Sequence, residues 1–64
     1  MLYRFVFLDN FAEPVSEQRL SAQNDAEALE LARLLARPFT IEVSQDGRRV
    51  GIALSNKERQ NVSN

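Results

Sequence analysis

The sequence predicts an α+β fold in the order β-β-α-β-β, with a four-stranded antiparallel sheet of spatial order 2-1-3-4 and one helix on one face. Three observations carry that expectation. Residues 2–9 alternate with apolar residues on both sides, residues 25–36 repeat apolar residues at helical spacing behind an Asn, and Asp46-Gly47 separates two alternating segments.

The first strand, residues 2–9, has Leu2, Arg4, Val6 and Leu8 on its even side and Tyr3, Phe5 and Phe7 on its odd side. Both sides are largely apolar, which suits an interior strand covered on both faces. Residues 10–14 form a loop closed by Pro14, which has no N–H to give to a ladder. Residues 16–22 make a more polar strand, with Leu20 and Ala22 inward and Glu17, Arg19 and Ser21 outward. Its charges place it at an edge, where they discourage unwanted pairing.

Asn24 is a good N-cap, and Glu27 stands three positions on, able to return a bond as in a capping box. Asp25, Glu27 and Glu30 lie early in the helix and Arg33 and Arg37 late, the charge order its dipole favours. Pro38 drives Arg37 out of helical geometry, so the helix ends near Ala36 or Arg37. At 100° per residue, Ala28, Leu31, Ala32 and Leu35 centre one face, with Leu29 and Leu34 on its flanks. The apolar arc is about 220°, roughly twice what one sheet face needs.

Asp-Gly is the preferred pair for a type I′ hairpin turn, because both positions accept positive φ. A regular register then opposes Gln45 to Arg48, Val43 to Val50, Ile41 to Ile52 and Phe39 to Leu54. It leaves Thr40, Glu42, Ser44, Arg49, Gly51 and Ala53 on the outer face. The expected organisation is one domain over residues 1–54 and a disordered polar tail over 55–64.

At 64 residues the chain is one small domain, 44% hydrophobic and 27% charged, which is globular composition. A fold of about 60 residues buries only about 60% of the surface of its unfolded chain. Small domains usually offset that deficit with disulfides, metal or self-association. With no Cys and no His, disulfides, thiolate chemistry, His-based triads and Cys/His metal sites are excluded, so a partner is expected. The formal charge is −1 and the pI about 5.3, far from the basic footprint of a dedicated nucleic-acid binder. Tyr3, Phe5 and Phe7 superficially resemble base-stacking aromatics, with Arg48 and Arg49 as phosphate contacts. Alternating aromatics on an interior strand read as core instead. Catalysis is not expected either, since one helix over four strands encloses little volume for a water-excluding cleft. The first nine residues have no basic lead and are interrupted by Arg4, so neither a signal peptide nor a spanning helix is expected, and the compartment expected is the cytoplasm. Asn61-Val62-Ser63 matches a glycosylation sequon and reads as plain polar tail.

Charge is unevenly spread. Residues 1–31 hold two Arg against six acids, a net of −4, and residues 32–64 hold six bases against three acids, a net of +3. Such a bipolar surface suits pairing with its own copy or with a charged partner. The expected function is a non-enzymatic protein-binding module, working through its surface as a homodimer, without cofactor, metal, nucleic acid or membrane. Leu29, Leu34, Glu42 and Arg49 are the contact candidates, together with the rest of the outer face. The alternative is an inhibitor that blocks a basic nucleic-acid channel with Asp9, Glu13, Glu17, Asp25, Glu27 and Glu30.

Residues 3–9 (Tyr-Arg-Phe-Val-Phe-Leu-Asp), 25–33 (Asp-Ala-Glu-Ala-Leu-Glu-Leu-Ala-Arg), Ile41-Glu42-Val43 and Gly47-Arg48-Arg49-Val50 together resemble a group of very short bacterial proteins, a domain family of unknown function. Those relatives often carry an aromatic where this chain has Ser44. The resemblance implies the fold and supplies no activity, cofactor or site residue. By size and charge alone the chain is also similar to phage-encoded inhibitors of the anti-CRISPR type.

Overall fold

The structure, a computed structural model, describes residues 1–36 and 38–55. Strands β1 (Leu2–Leu8) and β2 (Pro14–Ser21) are followed by helix α1 (Asp25–Leu35) and strands β3 (Thr40–Gln45) and β4 (Arg48–Ala53). The sheet order is β2-β1-β3-β4, every neighbouring pair is antiparallel, and α1 packs chiefly on β3 and β4. Fold class, strand order and helix count are those predicted. The tail expected over 55–64 lies, apart from Ser55, outside the described residues, as do Arg37 and the sequon. Ser55 itself donates its N–H to Thr40 Oγ1 at 3.3 Å.

Local chemistry sets the connections. In the β1–β2 loop, Asp9 Oδ1 accepts from the N–H groups of Phe11 (2.8 Å) and Glu13 (3.0 Å), while Ala12 takes φ 61°. Asn24 Oδ1 accepts from Glu27 N–H at 2.9 Å, the predicted cap. Glu27 returns its bond to Gln23 N–H rather than to Asn24, one residue further out than a capping box requires. Asp46 (φ 52°) and Gly47 (φ 80°) make the two-residue turn with both φ positive, and Gln45 opposes Arg48 as expected.

Beyond that turn the regular register is wrong. Ser44 opposes Arg49, but Val43 opposes Gly51 and Ile41 opposes Ala53, leaving Val50 as the extra residue of a β-bulge. A one-residue slip moves side chains to the other face. Gly51 and Ala53, expected outward, therefore lie under the helix, and Ile52, expected inward, is 44% exposed on the opposite face. The physical reason is room. Leu29 of α1 sits so close to the sheet that a Cβ at Gly51 would fall 2.7 Å from Leu29 Cδ2. A regular strand would place Ile52 in this layer. The bulge substitutes the two small residues and lets the helix approach.

The core is small. Tyr3, Phe5, Ile41 and Val43 are its large, fully buried side chains, and Ala22, Ala28, Ala32, Ala36 and Ala53 fill the rest. Phe7 stacks edge-on against Phe39, with ring centroids 6.3 Å apart. Two expectations about coverage are corrected. β1 is interior, yet only its odd side is covered, with Leu2 58% exposed on the other. On α1 the buried stripe runs through Ala28 and Ala32 to the C-cap Ala36, so Leu35 lies outside it. The helix sits over one end of the sheet width, and its alanine stripe permits closer packing than leucines would.

Candidate functional site

The sheet face opposite α1 carries two cross-strand rows fixed by the registers. Arg19, Arg4, Ser44 and Arg49 form one row across β2, β1, β3 and β4; Glu17, Val6, Glu42 and Ile52 form the next. Each acid reaches diagonally to an arginine of the first row. Arg4 grips Glu17 with two bonds (Nε to Oε2 2.7 Å, Nη2 to Oε1 3.2 Å), and Arg49 Nη2 reaches Glu42 Oε2 at 2.7 Å. The two pairs cancel along these rows and leave Arg19 as the remaining charge. Between and below them lies a concavity of ≈ 830 Å³ lined by Val6, Leu8, Pro14, Val15 and Ile52, with the Arg4–Glu17 pair and Glu42 on its walls.

This surface gathers some of the predicted residues and leaves others apart. Glu42, Arg49 and Glu17 share it. Leu29 does not: it packs over Gly51 at the helix–sheet interface. Leu34 is 68% exposed, on the helix side of the molecule. The six acids named for an inhibitor are spread over four places. Asp9 and Glu13 lie at the β1–β2 loop, Glu17 on the open sheet face, Asp25 and Glu27 at the helix N-terminus, and Glu30 beside Arg33 on α1 (2.8 Å). Among the described residues, the carboxylates of all except Glu13 hold a hydrogen-bond or ion-pair partner within the chain.

Sequence reasoning missed the apolar half of the open face. The alternation pattern puts Val6, Leu8 and Ile52 in covered positions and gives Val15 no role. The two-sided pattern of β1 was the available signal for Val6 and Leu8. No sequence signal marked Ile52, because the bulge alone turns it outward.

A second polar cluster fastens the helix to the sheet. Tyr3 is 1% exposed, and its hydroxyl donates to Asp25 Oδ1 at 2.8 Å. Arg48 donates to the same carboxylate twice (3.0 and 3.2 Å) and to Gln45 Oε1 (3.0 Å). The Asp25 carboxyl is held below its ordinary value, first by the Arg48 hydrogen bonds and then by the Tyr3 hydroxyl. Burial, with the bond to Asp25 behind it, pushes the Tyr3 hydroxyl up. The Arg48 guanidinium is raised by the same carboxylate.

Among the described residues no helix is long and apolar enough to cross a membrane, and no charged side chain is buried. Comparison with protein-family models, curated proteins and solved structures finds no match to this chain.

Proposed function

We propose that the chain is a small non-enzymatic protein-binding module that works as a homodimer and takes its protein partner on the open face of the sheet. One observation carries this reading: a concave, half-apolar face (Val6, Leu8, Val15, Ile52) lies open while the charges that line it, Arg4, Glu17 and Glu42, are already paired. Apolar surface left in water is worth about 25 cal/mol per Å² to whatever covers it. Contiguous apolar surface rimmed by polar groups is the usual mark of a protein contact. The partner that fits presents an apolar ridge between charges of both signs, because a strongly charged one finds no unpaired row of the opposite sign here. The size of the core supports the same reading, since four large side chains are little apolar burial for a chain with neither disulfide nor metal ligand of the Cys/His type.

Site-specific photo-crosslinking in the cells that make the protein tests the face. A benzoylphenylalanine at position 52 is expected to give a discrete adduct larger than the self-dimer. The same probe at position 30, on the exposed helix surface, is expected to give none. Val6→Asp in the position-52 chain should abolish the adduct. Equal adducts at both positions, or an adduct only at position 30, overturn the open-face reading.

A further inference from the structure

We propose that the homodimer forms by edge-to-edge pairing of β2 with β2 of a second copy, centred on Gln18, so that two four-stranded sheets become one of eight strands. This inference rests on the homodimer reading and names its interface.

The sheet has two edges, and they differ. β4 is broken at its middle by the Val50 bulge, which disrupts the spacing of its outward main-chain groups and blunts it against strand addition. β2 has its irregularity at one end, between the partners of Phe7 and Leu8, and runs in unbroken register from Ser16 to Ser21. Every residue of β2 except Leu20 is exposed. Which main-chain groups point outward follows from the last bonds of the hairpin. Ala22 N–H donates to the Met1 carbonyl (2.8 Å), and the Met1 amino group donates to the Ala22 carbonyl (3.0 Å). An antiparallel ladder alternates. Leu20, Gln18 and Ser16 therefore turn their main chain toward β1, and Ser21, Arg19 and Glu17 turn theirs outward, free to pair.

Charge selects the register. A two-fold axis perpendicular to the sheet must place some residue opposite its own copy. Centring on Glu17 or on Arg19 sets like charges face to face, which is destabilising. Centring on Gln18 sets Glu17 opposite the partner's Arg19, and Arg19 opposite the partner's Glu17. These are the residues with outward main-chain groups, so each of the two pairs exchanges two main-chain hydrogen bonds and brings opposite charges together on the open face. Within one chain Arg19 stands directly opposite Arg4, whose guanidinium is occupied by Glu17; among the described residues Arg19 has no ion-pair partner. The second copy supplies one. The same Glu-Gln-Arg pattern that repels an arbitrary strand thus matches itself. Because the axis is perpendicular to the sheet, both helices lie on one side and both open faces form a continuous surface on the other.

Sedimentation equilibrium on the full chain tests this. The wild-type chain is expected at twice its 7.3 kDa mass at micromolar concentration. Glu17→Lys leaves two basic residues and Arg19→Glu two acidic ones in the pairing strand, so each variant alone is expected to dissociate at least about tenfold more readily, which is about 1.4 kcal/mol. An equimolar mixture of the two variants makes both cross-pairs favourable and should return to the dimer mass. The doubly exchanged chain, E17R/R19E, should also be dimeric and serves if a single variant fails to fold by circular dichroism. A wild-type dimer that neither variant weakens overturns the β2 edge and leaves the homodimer reading standing. A 7.3 kDa species at every concentration overturns both. Failure of the mixture and of the exchanged chain to dimerise overturns the Gln18-centred register.

Discussion

Asp25 shows how one side chain joins three elements. It opens α1, accepts the hydroxyl of Tyr3 from β1 and holds Arg48 beside the β3–β4 turn. Its role sets a pH dependence whose sign follows from the direction of each shift. The folded chain binds the Asp25 proton less readily than the unfolded chain does, so this contribution is complete above the ordinary value of about 3.9 and is lost as pH falls through the lowered one. The folded chain binds the Tyr3 proton more readily, so that contribution is complete below about 10 and is lost as pH rises through the raised value. Thermal midpoints measured against pH should therefore be level between these limits and fall outside them. Asp25→Ala should lower the plateau and remove this group's share of the acid limb. An acid limb unchanged in the variant would show that other carboxylates set it.

At the scale of elements, the β4 bulge decides which face each residue serves. Gly51 lies beneath Leu29, and any side chain there must move the helix or that leucine. Gly51→Val is expected to destabilise by about 1–3 kcal/mol, the usual range for overpacking. Adding Leu29→Ala should make the double variant less destabilised than the sum of the single ones, because the two changes share one space. Denaturant melts of the four chains measure the coupling, and simple additivity would refute the contact. Much of this level was legible in the sequence. The Asn24 cap, the Asp46-Gly47 turn, the polar edge strand and the aromatic side of β1 all follow from local chemistry or period-2 alternation. The bulge was not legible, because regular pairing of Val43 with Val50 satisfies the same hydrophobic pattern. Only the height of the helix above the sheet rejects it. For the same reason Glu42 and Arg49 were identifiable as outward residues while Ile52 was not.

For the whole molecule, the governing fact is a thin core beneath a half-covered sheet. Leu2, Val15, Leu34, Ile52 and Leu54 are among the large apolar residues left more than 40% exposed. A homodimer whose sheets join along β2 couples folding to association. Its thermal midpoint should then rise with chain concentration, whereas a monomer's stays fixed. Calorimetry from micromolar to submillimolar chain separates the two, and a constant midpoint counts against self-association. The same reasoning disfavours the acidic inhibitor, since acids spread over loop, sheet and helix and bonded within the chain do not sum to one field.

The sequence by itself determined the helix cap and the hairpin turn, which depend on neighbours close along the chain, and the element order and sheet order 2-1-3-4, which follow from alternation, from the polar edge strand and from the apolar interior one. Tertiary structure alone decided that α1 covers β3 and β4 rather than the whole sheet, that β4 slips by one residue, and that Val6, Leu8 and Ile52 share an open concavity. Those outcomes depend on how near two elements can approach. That distance is set by side chains far apart in sequence, Leu29 and Gly51 above all.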